Sequence, residues 1–254
     1  MKPAWTKYYY DILDFYYWEP QHLGKIKNPN RKYRTYDDIF DHLGKMEVSL
    51  NHQLALFFNI IPEGISNGLL KAMTDGKAKD KYIYESHKTA KIIEKLNDFT
   101  QPDFLFEGKH SLLAIEVKLD SWSSLDQLMK YLFLYVLLKK KLKYVKGFSL
   151  IYLAKDKFDG IWEQGYKNKD ELLEAFKKYE IPDYTAKGDI NIKPYKKAIL
   201  KAIEETDIHF VNFQQFLRLL DSEKKKLGRS ESGRGWANFI DGLQGELKNR
   251  KLIK

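Results

Sequence analysis

Pro102 to Asp120 reads PDFLFEGKHSLLAIEVKLD. Two apolar runs, Phe104 to Phe106 and Leu112 to Leu119, flank the turn residues EGKH, which is the pattern of a β-hairpin. Side chains alternate across a strand. Leu113, Ile115 and Val117 therefore share one face, read as the core face, while Glu116 and Lys118 share the other. A turn through Gly108 to Ser111 opposes Glu107 to Leu112. Continuing that register sets Asp103 opposite Glu116, with Lys118 two residues further along the same face.

Two carboxylates held side by side repel and raise one another's pKa unless a cation intervenes. A hard divalent ion, Mg²⁺ or Mn²⁺, resolves the repulsion, because carboxylate oxygens suit these metals. A neighbouring lysine can orient or deprotonate a water and offset charge developing on a phosphoryl oxygen. Asp103, Glu116 and Lys118 on adjacent strands thus have the composition of a metal-assisted phosphodiester hydrolysis site. Taken alone, the triplet is better read as an ordinary exposed hairpin with a cross-strand Glu–Lys pair, because such triplets arise often by chance.

Outward from the hairpin, strands and helices alternate. Leu125 to Lys140 reads as a helix, with Leu125, Leu128, Leu132 and Val136 as its buried stripe and Gln127 and Tyr131 four apart on one face. FSLIYL (Phe148 to Leu153) is a strand; Lys169 to Tyr179 and Pro194 to Glu205 are helices; Ile208 to Val211 is a last strand, followed by a helix to Leu220. Upstream, Lys45 to Ile61 is a helix with Leu50, Leu54, Phe57, Phe58 and Ile61 at core spacing, stopped by Pro62 and Gly64. Lys71 to Asp80 reads as loop or lid, Tyr82 to Glu85 as a short strand and Thr89 to Leu96 as helical. The pattern is mixed α/β.

Three parts follow: residues 1–44, an aromatic helix (Trp5 to Trp18) and a basic loop; residues 45–220, the α/β domain; and residues 221–254, a basic extension. In the extension, GRSESGRG (Gly228 to Gly235) reads as a flexible solvated loop, although its glycines, Arg229 and Arg234 could also cradle a phosphate. The run from Lys139 through Lys140 and Lys141 to Lys143 reads equally as a nucleic-acid track and as a solvated helix end.

The pattern P-D followed by E-x-K on two apolar strands, carried by Pro102, Asp103, Glu116 and Lys118, closely resembles the PD-(D/E)XK nuclease superfamily. Gln127 and Tyr131 within SLDQLMKYLFLY resemble the Q-h-x-x-Y motif of its RecB-like branch. The resemblance implies a restriction-endonuclease-like fold, a mixed central β-sheet flanked by α-helices, and Mg²⁺-dependent cleavage of nucleic acid, DNA before RNA, with Mn²⁺ able to substitute. It also implies the roles. Asp103 and Glu116 ligate the metal, helped by Glu47 and the Val117 backbone carbonyl. Lys118 positions and activates the water, Gln127 supports the site, and Tyr131 positions the helix or the nucleic acid. For the acidic helix residue Glu85 competes with Glu47, and Glu94 is a weaker candidate. Many members of the superfamily act as dimers, and a homodimer would fit, as would a place in a defence or mobile-element system. The alternative is a non-catalytic nucleic-acid-binding or regulatory module on the same fold.

Composition narrows the classes. Forty-four Lys and Arg against 35 Asp and Glu leave a net charge of +9, which favours a polyanionic partner. No arginine lies between Arg34 and Arg218, so contact with phosphates is expected to outweigh bidentate reading of guanine. The absence of cysteine removes thiolate zinc sites, iron–sulfur clusters and disulfide scaffolds. The six histidines form no H-x-x-x-H pair, and no P-loop occurs. No apolar run approaches the roughly 20 residues of a membrane helix. MKPAWTKYYYDIL has no signal-peptide pattern. A cytoplasmic protein is expected.

Overall fold

The computed structural model describes residues 5, 6, 9, 47–84, 89, 102–119, 121–155, 157–183, 185–186 and 190–253. The helix read over Trp5 to Trp18 (apart from 5, 6 and 9), the basic loop after it, the helical stretch after Thr89, and the candidates Glu85 and Glu94 lie outside these residues. The contacts divide the chain into two units, 1–61 with 220–254, and 62–219. This grouping runs differently from the three parts read in the sequence, because the C-terminal segment joins the N-terminal one.

In the second unit, a five-stranded mixed sheet is flanked by helices. In chain order its elements are α2 (Glu63–Met73), β1 (Ile83–Tyr84), β2 (Phe104–Glu107), β3 (Ser111–Lys118), α3 (Leu125–Lys141), β4 (Gly147–Ala154), α4 (Lys169–Lys177), α5 (Lys196–Glu204) and β7 (Thr206–Asn212). A separate two-stranded pair, β5 (Thr185–Ala186) and β6 (Ile190–Asn191), lies between α4 and α5 in sequence. The sheet order is β1-β2-β3-β4-β7. The β1–β2 and β2–β3 pairs are antiparallel; β3–β4 and β4–β7 are parallel.

The β2–β3 register runs from Glu107↔Leu112 to Phe104↔Ile115, as the hairpin reading expects. The turn closes with a 2.8 Å bond from Gly108 N to the Ser111 carbonyl. The burial expectation needs correction. Leu113, Ile115 and Val117 are buried, but so are Leu112 and Ala114 on the opposite face. A strand between neighbours in a sheet covered by helices is apolar on both sides. The Leu112/Ala114 face belongs to the larger core, which also takes in Leu128, Leu132, Phe148, Leu150 and Ile203. Glu116 and Lys118 continue that row, so they point toward the helix-covered side and not into open solvent.

Helix α2 was read partly as a terminator and partly as a lid. Pro62 occupies its N-cap position, where a missing N–H costs nothing, and Ile65, Leu69, Leu70 and Met73 bury one face. In the first unit α1 (Glu47–Ile60) buries Leu50, Leu54, Phe57 and Phe58. The C-terminal extension is helical too: α6 (Phe213–Lys225) runs across the unit boundary and α7 covers Glu231–Asn249. Of the stretch read as a loop, Glu231 to Gly235 form the start of a helix, while Gly228 to Ser230 precede it. Ser230 is the N-cap, accepting from Gly233 N, while Arg229 and Arg234 are exposed. Arg250 pairs with Glu246 at 2.6 Å and donates to Ser49 Oγ at 2.8 Å, tying α7 to α1. Trp5 stacks on Phe239, with ring centroids 4.8 Å apart, and donates to its carbonyl. Among the described residues no helix is long and apolar enough to cross a membrane.

Candidate active site

Glu116 sits two residues before the end of β3 and is only 4% exposed. A carboxylate so buried needs both oxygens satisfied and its charge offset. Lys118, two residues along the same face, places Nζ 2.8 Å from Glu116 Oε1. Gln127 Nε2 donates to the same oxygen at 2.7 Å, and the Tyr131 hydroxyl donates to Oε2. Gln127 and Tyr131 reach Glu116 together because they lie one turn apart on α3, whose face covers this side of the sheet. Gln127 Nε2 also donates to the Tyr131 oxygen at 2.9 Å.

Ser123 was not among the sequence candidates, yet it orients the amide. Its hydroxyl donates to Gln127 Oε1 at 2.9 Å, which turns the Gln127 NH₂ toward Glu116. Ser123 is itself fixed, with N bonded to the Ile161 carbonyl at 2.6 Å and its own carbonyl accepting from Glu163 N at 3.1 Å. Next to it, Ser124 caps α3 by accepting from Gln127 N. A serine pair before a helix signals a cap; it does not signal which serine reaches a glutamine.

Tyr152 was also missed. It is the β4 partner of Glu116 in the parallel register and is fully buried. Trp162 packs against it edge-to-face at 5.1 Å. Burial, then the Glu116 charge, pushes the Tyr152 phenol far above its ordinary range. The Tyr131 phenol rises for the same two reasons in the same order, with smaller contributions that include the Asp103 charge. Both phenols remain protonated at physiological pH, and Tyr131 is the donor to Glu116.

Asp103 is half-buried, and its Oδ2 accepts from Val117 N at 2.8 Å. Continued by one pair, the register opposes Asp103 to Glu116; continued by two, it opposes Pro102 to Val117. Proline has no N–H, so the ladder offers the Val117 carbonyl no donor at that position. The oxygen donors able to meet a hard cation are thus Asp103, Glu116 and the Val117 carbonyl. Among the described residues no three His, Cys, Asp or Glu side chains gather into a metal-holding group. Mg²⁺, however, is commonly held by one or two carboxylates together with water and substrate phosphates. This donor set fits that habit.

The remaining candidates are divided between the two units. Glu47, half-buried at the start of α1, belongs to the first unit, as do Arg229 and Arg234. Lys139 pairs with Glu205, and Lys140 lies over the Tyr195 ring at 5.3 Å. Lys141 is exposed at the end of the same helix. With a rise of 1.5 Å per residue, Lys139 lies roughly 18 Å along the helix axis from Gln127. This lysine run is at the opposite end of α3 from the Glu116 cluster.

Compared with known proteins, the chain matches no family model, no curated protein and no solved structure.

Proposed function

We propose that the chain is a metal-dependent nuclease with a restriction-endonuclease-like fold, hydrolysing phosphodiester bonds of nucleic acid, DNA before RNA. One observation carries the reading: Glu116 is buried and held simultaneously by Lys118, Gln127 and Tyr131, with the Asp103 carboxylate bonded to the amide of the next residue, Val117. An accidental Glu–Lys pair on a hairpin would have no reason to recruit the two α3 residues. The mixed sheet supports the fold reading, since the hairpin bearing the acidic residues runs through a helix into parallel strands.

Asp103, Glu116 and the Val117 carbonyl would hold the cation. A bound Mg²⁺ or Mn²⁺ supplies a Lewis acid for the phosphoryl oxygens and lowers the pKa of its water. The protein residues divide the remaining work. The Lys118 ammonium would hold the attacking water and offset charge building on the phosphoryl oxygens. Gln127 and Tyr131 keep Glu116 in one rotamer, so its orientation does not have to be found at the moment of reaction. Glu116 would exchange part of its contact with Lys118 for the cation, which frees the lysine to face the water.

The test is Mg²⁺-dependent cleavage of single- and double-stranded DNA, comparing the wild type with Asp103→Ala and Lys118→Ala. Cleavage should fall by at least about 100-fold in both, the scale of losing an electrostatic or acid–base group. Unchanged cleavage in both variants would refute the assignment.

A further inference from the structure

Trp122 is 71% exposed, whereas tryptophan is buried on average more than almost any other side chain. It sits in the connection between β3 and α3, where the backbone is pinned on both sides. Leu119 is buried before it; Ser123, fully buried after it, is bonded through both backbone groups to the segment following β4. The indole is therefore carried on a backbone anchored at Ser123. That position is coupled to the Glu116 cluster, because the next residue, one Cα step of about 3.8 Å away, orients Gln127 through its hydroxyl.

We infer that Trp122 is a stacking platform for an unpaired base of the substrate strand, next to the bond being cut. This rests on the nuclease reading above and adds a substrate class to it: single-stranded nucleic acid, or a strand with an unstacked base at the site. An indole stacks on any base that offers a free face. Within a duplex both faces of each base are covered by its neighbours, so the platform selects against intact duplex. The surroundings suit a nucleic-acid strand better than an apolar partner. Ser121, Lys155 and Lys157 are exposed near the same strand ends, and the Lys155 amide bonds the Lys118 carbonyl at 3.1 Å. In parallel sheets, ligands bind outside the carboxyl ends of the strands. The second unit contains no arginine before Arg218, so stacking supplies base contact where bidentate edge readers are lacking.

Binding without metal tests the platform separately from catalysis. Wild type, Trp122→Ala and Trp122→Phe are titrated in EDTA with a labelled 15-nucleotide oligothymidylate and with a duplex of equal length. Trp122→Ala should weaken single-strand binding roughly tenfold and leave duplex binding within about twofold. Trp122→Phe should keep most of the affinity while losing most of the fluorescence quenching that the oligothymidylate causes. Equal losses on both nucleic acids, no loss on the single strand, or no single-strand binding by the wild type would each overturn the inference. Failure of the nuclease reading would show elsewhere, as Mg²⁺-dependent cleavage that does not depend on Asp103.

Discussion

Glu116 and Lys118 have side chains 5% and 7% exposed and only 2.8 Å apart. Breaking a buried ion pair strands the remaining charge at a cost of about 3–5 kcal/mol, whereas replacing both partners with neutral groups costs far less. Glu116→Gln alone should therefore lower stability by about 3 kcal/mol, and adding Lys118→Met should recover most of that loss. Urea unfolding midpoints of the two singles and the double check this; a double variant as unstable as the sum of the singles would contradict it. This cluster was only partly legible in the sequence. Gln127 and Tyr131 could be found because helical spacing puts residues four apart on one face. Ser123, Tyr152 and Trp162 could not: their approach depends on how β4 and the segment after it lie beside β3, and no local period encodes that.

At the level of elements, the hairpin was readable to single-residue register because a tight turn fixes antiparallel pairing. The turn also carries a steric condition from outside itself. A Cβ on Gly108 would lie 2.6 Å from Asp80 Cβ and 2.7 Å from Asp80 Oδ2. That oxygen accepts from His110 N and from Ser111 Oγ, each at 2.7 Å. Burial pushes the Asp80 carboxyl up, but these hydrogen bonds outweigh it and hold the group below its ordinary value. Gly108→Ala must displace Asp80 from both donors and should cost about 1–3 kcal/mol. In an Asp80→Gly background the same change should cost less, with only the Tyr82 ring edge, 3.0 Å away, left to give way, and unfolding midpoints for the cycle measure the difference. Helices α2 and α7 were missed for a related reason. Gly64 and the glycines of Gly228 to Gly235 read locally as breakers, while burial of Leu69, Leu70, Ile240, Leu243 and Leu247 overrides that preference.

For the molecule as a whole, the α/β class followed from the alternation of strands and helices, but one contribution to acid stability comes from a residue no motif singled out. His209 on β7 is 9% exposed, and its Nε2 has no hydrogen-bond partner among the described residues. Burial lowers its pKa below the ordinary 6.5; Lys77 and Lys169 act in the same direction, and Asp207 and Asp75 oppose them. Between that ordinary value and the lower folded one, the unfolded chain binds a proton that the folded chain does not. Stability contributed by the neutral imidazole is thus complete above about pH 6.5 and is lost as the pH falls through that window, levelling off below the folded pKa. Asp80, held below its ordinary value, releases its own contribution only at lower pH, so the loss just below pH 6.5 belongs to histidine. His209→Leu removes this titration, and the urea midpoint of the variant should fall less than that of the wild type between pH 7.5 and pH 5.5. An equal fall in the two proteins would place the acid sensitivity elsewhere.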